Sequence, residues 1–131
     1  MSKRKADVFK QEDFQNITNE YASNSISIMR EELDNEETRE SIMSEGALEV
    51  SVRGDWHTPG DKDAAQSTEY FILLGTGGPA SRIKGELNQY CEPQTAIFEY
   101  QDWYKPWTAA QTTDEEDKTL LEYANQFWFG E

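Results

Sequence analysis

Two apolar stretches decide the fold: ALEVSVR at residues 47–53 and YFILL at residues 70–74. In the first stretch, apolar and polar side chains alternate with the period of two that is typical of a half-buried strand. The second stretch is an almost unbroken apolar run, which is typical of a central strand. Residues 81–87 and 94–100 predict two further strands. The middle of the chain therefore predicts an antiparallel sheet over residues 47–101.

Helical patterns lie on both sides of this predicted sheet, at residues 11–45 and 113–129. A weak spot at residues 23–25 (SNS) could bend or break the first segment. Asp34 and Glu37 resemble a capping box for a second short helix at about residues 35–44. The apolar residues at helical spacing in the first segment are Phe14, Ile17, Tyr21 and Ile28, with Met29 and Leu33 on a neighbouring stripe.

The last predicted helix begins at Thr113, which forms a capping box with Glu116. Gly46 is a suitable residue to end the helix that precedes the sheet. The basic residues 1–10 are expected to form a flexible tail. The whole chain, residues 1–131, thus predicts a single α+β domain: a roughly four-stranded antiparallel sheet with N-terminal helices and a C-terminal helix packed on it.

The composition narrows the classes of function. The chain has 131 residues with 26 Asp or Glu and 12 Lys or Arg, so its formal net charge is −14. This charge disfavours nucleic acid or an anionic membrane as direct partners and favours a basic protein surface. No apolar run approaches the roughly 20 residues that span a bilayer, and no secretory signal is apparent. Cys91 is the only cysteine, which is consistent with a reducing cytosol.

Three features could carry chemistry, and each also has a structural interpretation. The turn at residues 75–79 (GTGGP) could cradle an anion through its backbone N–H groups, or it could simply connect two strands. Cys91 lacks an evident activating base and is interpreted as inert. Asp55, His57, Asp61 and Asp63 could bind a hard metal or be solvated loop residues. We therefore predict no catalytic residue, no metal and no cofactor.

Aromatic side chains are abundant, with 4 Trp, 6 Tyr and 6 Phe. Tyr100, Phe127 and Trp128 lie on regular periodic faces and are expected in the core. The loop that contains Pro106 also contains three aromatic rings. They could close the core or bind a partner, because Trp and Tyr are typical binding hot spots. These three residues are Trp103, Tyr104 and Trp107.

The acidic residues are concentrated in two clusters. Eight carboxylates lie between Glu31 and Glu49, with Arg39 as the only basic residue among them. Such runs are usually solvated faces that keep a protein soluble. A row of carboxylates can also occupy a protein groove that is built for DNA phosphates. The residues expected to contact a partner in this way are Glu32, Glu36, Glu37 and Glu40 in the first cluster, and Asp114, Glu115, Glu116 and Asp117 in the second.

Four segments together resemble a known group of proteins: LEVSVRGDWHTPGD (48–61), EYFILLGTGGPASRIKGEL (69–87), EPQTAIFEYQDWYKPW (92–107) and QFWFGE (126–131). The group consists of small acidic proteins encoded by bacteriophages and integrated mobile elements, mostly left as hypothetical. The resemblance implies a mobile-element gene product of the size and acidity common among anti-CRISPR and other anti-defence proteins. It implies no catalytic residue, and it implies a location in the cytoplasm of a bacterial host cell.

The sequence therefore favours a non-enzymatic inhibitor of a bacterial defence system. Its expected partner is a host nucleic-acid-handling protein, such as a CRISPR effector, bound through an acidic, DNA-mimicking surface. The alternative is a small ligand-binding module or enzyme that uses the loop at residues 54–67 and the Gly75–Pro79 turn. A third possibility is a structural or regulatory phage protein that acts through self-association of its sheet or aromatic loop.

Overall fold

A computed structural model of the chain describes residues 3–54, 59, 67–76, 79–102 and 105–129. Within these residues, three helices and five strands follow one another, with the helices first and last and the strands between them. The elements are α1 (Lys3–Asp34), α2 (Glu36–Glu45), β1 (Glu49–Gly54), β2 (Ser67–Gly75), β3 (Ala80–Glu86), β4 (Ile97–Gln101), β5 (Thr108–Ala109) and α3 (Asp114–Ala124).

The five strands form one sheet in the order β1-β2-β3-β4-β5, and every neighbouring pair is antiparallel. The predicted α+β class and the antiparallel sheet are thus confirmed. The fifth strand was not predicted, because β5 has only two residues. Paired residues of antiparallel strands point to the same face of a sheet. The register therefore aligns one row across four strands: Val50, Ile72, Ile83 and Phe98.

The core lies between this face of the sheet and the helices. Ile72, Ile83 and Phe98 are fully buried there, as is Leu120 of α3. Helix α1 contacts β4, β5 and both other helices, while α3 contacts β4. The aromatic rings interlock across these layers: the ring centroids of Tyr21 and Tyr100 lie 4.7 Å apart. The helices are thus packed mainly on the β4 side of the sheet.

Helix α1 differs from its prediction in three ways. It begins at Lys3, so residues 3–10 are helical instead of a tail, because the segment contains neither glycine nor proline. It continues through residues 23–25, since tertiary packing of neighbouring buried residues overrides a weak local preference. Its buried stripe is also offset by one position from the predicted one, whose members Ile17, Tyr21 and Ile28 are exposed. The buried residues are Thr18, Ala22 and Ile26, together with Met29 and Leu33 of the predicted neighbouring stripe.

The helix ends follow local capping chemistry. At α3, the predicted capping box between Thr113 and Glu116 is confirmed. At α2, Asn35 is the N-cap instead of Asp34, and its side chain accepts hydrogen bonds from the N–H groups of Glu37 and Thr38. Gly46 follows α2 with a right-handed φ of −77°. It is needed for space rather than for positive φ, because a Cβ there would lie 2.6 Å from the Ile42 carbonyl oxygen.

The end of the chain also departs from its prediction. Helix α3 stops at Ala124, and the described residues after it form a turn and an extended segment instead of continuing the helix to residue 129. This segment returns to the sheet, where the ring centroids of Phe129 and Tyr70 lie 4.7 Å apart. Phe127 is buried as predicted, whereas Trp128 is exposed. Periodicity failed for Trp128 because the helix on which it was counted has already ended.

One buried polar atom lacks a partner among the described residues, the Thr18 hydroxyl in the helix–sheet core. An unsatisfied buried hydroxyl typically costs about 1–3 kcal/mol. We expect Thr18→Val, which keeps the branched shape and removes the hydroxyl, to raise the free energy of unfolding by about 1 kcal/mol. Urea unfolding checks this, with Thr18→Ala as the control that also removes packing. Equal stabilities of the valine and alanine variants would contradict it.

Candidate functional site

The first acidic cluster lies where α1 ends and α2 begins. Asn35 interrupts the helix there, so the cluster is divided between two helices: Glu32 lies on α1, and Glu36 and Glu40 lie on α2. Glu36 and Glu37 occupy the first turn of α2, where the helix dipole favours negative charge. We call the exposed carboxylates of this region the acidic end: Glu31, Asp34, Glu36, Glu37, Glu40 and Glu45.

The cations near the acidic end are already engaged. Arg30 donates to Asp34 and to Glu122, each at 2.7 Å, and Arg39 lies 3.4 Å from Glu122. The hydrogen bond from Arg30 lowers the pKa of Glu122, against a smaller opposing effect of burial. Among the described residues, Glu36, Glu37 and Glu40 have no basic partner. Their negative charges are therefore exposed to solvent and are not neutralised by a neighbouring cation of the described residues.

Glu32 has a different environment from the rest of its cluster. It is half-buried, and its Oε2 atom accepts a hydrogen bond from the Tyr123 hydroxyl at 3.5 Å. Burial of Tyr123, together with the negative charge of Glu32, raises the pKa of Tyr123 to about 12. Glu32 thus supports the packing of α3 on α1, and it is less available to a partner than the α2 carboxylates.

The second acidic cluster, Asp114–Asp117, opens helix α3, and half of it has a structural role. Glu116 accepts from the Thr113 N–H at 3.0 Å in the capping box, and Asp117 accepts from the Thr112 hydroxyl. Asp114 and Glu115 are exposed. The residues of this cluster lie about 8–12 Å along α3 from Glu122, by helix rise. Through Glu122, the ion pairs of Arg30 and Arg39 connect α3 to α1 and α2.

In the aromatic loop, Trp107 is half-buried and packs on the sheet. The Arg82 guanidinium lies 4.1 Å from the centroid of its ring, which is a cation–π contact. Trp103 and Tyr104 lie outside the described residues. Trp107 therefore belongs to the sheet face that the helices leave open.

That open face contains a feature that the sequence analysis missed. A groove of about 170 Å³ runs across β1, β2 and β3 and includes Arg53, Arg82 and Lys84 in its lining. Arg82 donates to Glu99 at 2.6 Å, and Arg53 forms a bidentate pair with Glu69 at 2.6 and 3.2 Å. The signal was the alternation of Arg82 and Lys84 around Ile83, which places both cations on the face opposite the core.

The remaining candidates for chemistry are only partly described. Asp55, His57, Asp61 and Asp63 lie outside the described residues, as does Gly77 of the glycine-rich turn. Gly75 has no positive φ, so strand geometry does not require glycine there. Cys91 has a φ of 60° in a turn that Asn88 stabilises, and its thiol is unpaired. Within the described part of the chain, no group of three potential ligands could hold a metal ion.

Comparison of the chain with protein families, with curated proteins and with solved structures finds no match. The resemblance to acidic mobile-element proteins therefore stays a prediction. No described helix combines the length and the apolar character that crossing a bilayer requires.

The raised pKa of Tyr123 predicts a loss of stability in alkali. Tyrosine in the unfolded chain loses its proton near pH 10, whereas folded Tyr123 keeps its proton up to about pH 12. The contribution of protonated Tyr123 to the free energy of unfolding is therefore fully present below about pH 10 and is lost as the pH rises through about 12. We expect Tyr123→Phe to reduce the fall of the melting temperature between these two pH values. An unchanged slope in this variant would contradict the expectation.

Proposed function

We propose that the chain is a non-enzymatic inhibitor that binds a nucleic-acid-handling protein of a bacterial defence system. The acidic end occupies the basic surface on which that protein would hold nucleic acid. The defence context comes from the family resemblance. The binding mode is supported by one observation above all, the unpaired and exposed carboxylates of α2.

The spacing of these carboxylates supports mimicry of a phosphate backbone. On helix α2, Glu36, Glu37 and Glu40 fall within about 100° of one another, over about 6 Å of helix rise, whereas Glu45 lies on the opposite side of the helix. Along that face the charges are spaced by about 3 Å of helix rise on average, close to the value of about 3.4 Å per phosphate along one DNA strand. Arg39, the basic residue within α2, is turned to Glu122 and leaves this row unneutralised.

The rigidity of the row is a second support. Asn35 fixes the start of α2, and Ile42 anchors the helix as a fully buried side chain. The carboxylates are thus presented by an ordered helix with little backbone entropy left to lose on binding, which favours affinity. Trp107, on the open face of the sheet, and the first turn of α3 would lie outside this primary contact.

A charge-neutralising triple variant tests the proposal. Glu36→Gln/Glu37→Gln/Glu40→Gln removes three charges from the acidic end, and Asp13→Asn/Glu20→Gln/Glu86→Gln removes three exposed charges elsewhere. Each tagged protein is used to capture partners from a bacterial lysate at about 0.05 M and about 0.2 M salt. We expect the wild type and the control to capture the same nucleic-acid-handling protein, more strongly at low salt, because oppositely charged surfaces attract and salt screens them.

The α2 variant should lose most of this capture. Two results would contradict the proposal: capture that survives in the α2 variant, or capture that is equal at both salt concentrations. Circular dichroism of both triple variants provides the folding control, because surface substitutions of this kind usually change stability by no more than about 0.5 kcal/mol.

A further inference from the structure

Strand β1 is an edge strand with an uncovered apolar face. Val50 and Val52 pair with the buried residues Ile72 and Tyr70, so their side chains point to the helix-covered face of the sheet. Yet Val50 is 38% exposed and Val52 43%, and Leu48 just before the strand is 64% exposed. Alternation predicted that β1 is half-buried, and this prediction is wrong. The apolar side chains of β1 are exposed because the helices pack mainly over β4 and leave this edge bare.

Among the described residues, nothing pairs with the outer edge of β1, so that edge is open for hydrogen bonding. In the described part of the chain, β2 is the only strand that pairs with β1. An edge strand presents a row of unpaired N–H and C=O groups, and such an edge is a template for another strand. Natural proteins protect these edges with charges or bulges. In β1 the charges Glu49 and Arg53 and a register shift after Arg53 lie toward the ends, and the centre of the strand is Val-Ser-Val.

The sequence of β1, EVSVRG, is complementary to its own antiparallel copy. A two-fold axis through Ser51 would place Glu49 opposite Arg53 of the second copy, and Arg53 opposite its Glu49. The same register places Val50 opposite Val52. Opposite charges and β-branched residues that face each other both stabilise strand pairs. Moving the register by two residues keeps apolar pairs but separates the charges.

We propose that this chain forms a homodimer in which the two β1 strands pair antiparallel about Ser51, joining the two sheets into one. The charge complementarity of Glu49 and Arg53 is what selects a second copy rather than any other strand. Val50 and Val52 of both chains, with Leu48 beside them, would then be covered along the shared apolar face. The proposal does not depend on the acidic end, which is on α1 and α2.

The net charge of −14 gives the dimer a diagnostic salt dependence. Two copies repel each other at long range, and salt weakens this repulsion because the screening length falls from about 10 Å at 0.1 M to about 3 Å at 1 M. The adjacent cross-strand charge pairs lie inside that distance. Dimerisation should therefore strengthen with salt, whereas binding of a basic partner to the acidic end should weaken.

Sedimentation velocity over a range of protein and salt concentrations measures the association. We expect a species of twice 15.1 kDa that becomes more populated as either concentration rises. Charge swaps then locate the interface. Arg53→Glu and Glu49→Arg should each give a monomer, because each places like charges opposite one another across the two-fold axis.

An equimolar mixture of these two single variants should form a heterodimer, because each introduced charge then faces its opposite. The double variant Glu49→Arg/Arg53→Glu should likewise regain the homodimer. Glu49→Arg keeps the pair of Arg53 with Glu69 within the chain, so it remains informative if Arg53→Glu fails to fold. A wild type that stays at 15.1 kDa would overturn the proposal and leave the edge to a strand of another protein. Single variants that still dimerise would overturn it equally.

Discussion

Replacing Gly85 with alanine should destabilise the protein by about 3 kcal/mol, the upper part of the range for overpacking a tight site. Gly85 lies in β3, where the chain after the turn at Asn88–Glu92 passes close to the strand. A Cβ at this position would overlap the Thr95 carbonyl oxygen and lie 2.9 Å from Cε1 of Tyr70. The same carbonyl accepts the Tyr70 hydroxyl at 2.6 Å, so it cannot move without breaking that hydrogen bond.

Gly75→Ala is the matched control. The nearest atom to its added Cβ would be the Ser81 Oγ at 3.8 Å, which is ordinary contact, and its φ is not positive. Urea unfolding of the two variants measures the difference. Equal stabilities would show that the close approach at Gly85 does not limit the fold.

Phe98→Ala should have an even larger effect, a loss of about 3–5 kcal/mol from the free energy of unfolding. Phe98 of β4 is fully buried at the centre of the core, beside Ile83 of β3 and with the Tyr21 ring 6.2 Å away. Removing its ring leaves a cavity that strands on both sides prevent from closing. Most small domains are only marginally stable, so this loss would remove a large part of the free energy of unfolding.

Ile97→Ala is the control on the same strand. Ile97 points to the opposite face and is 47% exposed, so its truncation should cost far less. Thermal melts of the two variants compare the cost of truncating a side chain at two adjacent positions of β4. Similar melting temperatures would contradict the assignment of the core to the Phe98 face.

The sheet could be predicted because its strands carry strong local signals. Alternation in β4 placed Phe98 and Tyr100 on one face, and both are buried there. Alternation also predicted β1, but it could not show whether anything covers the apolar face, because coverage depends on where distant helices pack. Val50 and Val52 alternate with polar residues as in a core strand, but their side chains are exposed because the strand lies at the edge of the sheet.

The helices show where periodicity reaches its limit. Stripes one residue apart on α1 were both plausible, and the large side chains Ile17 and Ile28 favoured the wrong one. The structure instead buries Thr18 and Ala22, whose small side chains allow close packing. Side-chain size alone therefore predicts the wrong buried face for a helix that packs closely against its neighbours.

The sequence could predict where acidic residues are clustered, but not which of their carboxylates are exposed. Sequence counting treats Glu32, Glu36 and Glu116 alike, yet only Glu36 of these three is exposed. Glu116 completes a capping box, and Glu32 accepts from Tyr123. The partner of Glu116 is the nearby Thr113, whereas the partner of Glu32 lies 91 positions away in the sequence, where counting residues cannot find it.

Competition with DNA tests whether the acidic end occupies the nucleic-acid site of its partner. The protein captured by the wild-type chain is purified and loaded with a fluorescent DNA duplex, and the chain is titrated into the complex while anisotropy is followed. We expect the wild type to displace the duplex, and we expect Glu36→Gln/Glu37→Gln/Glu40→Gln to require a concentration at least about tenfold higher than that of the control triple variant. A chain that binds while the duplex stays bound would contradict it.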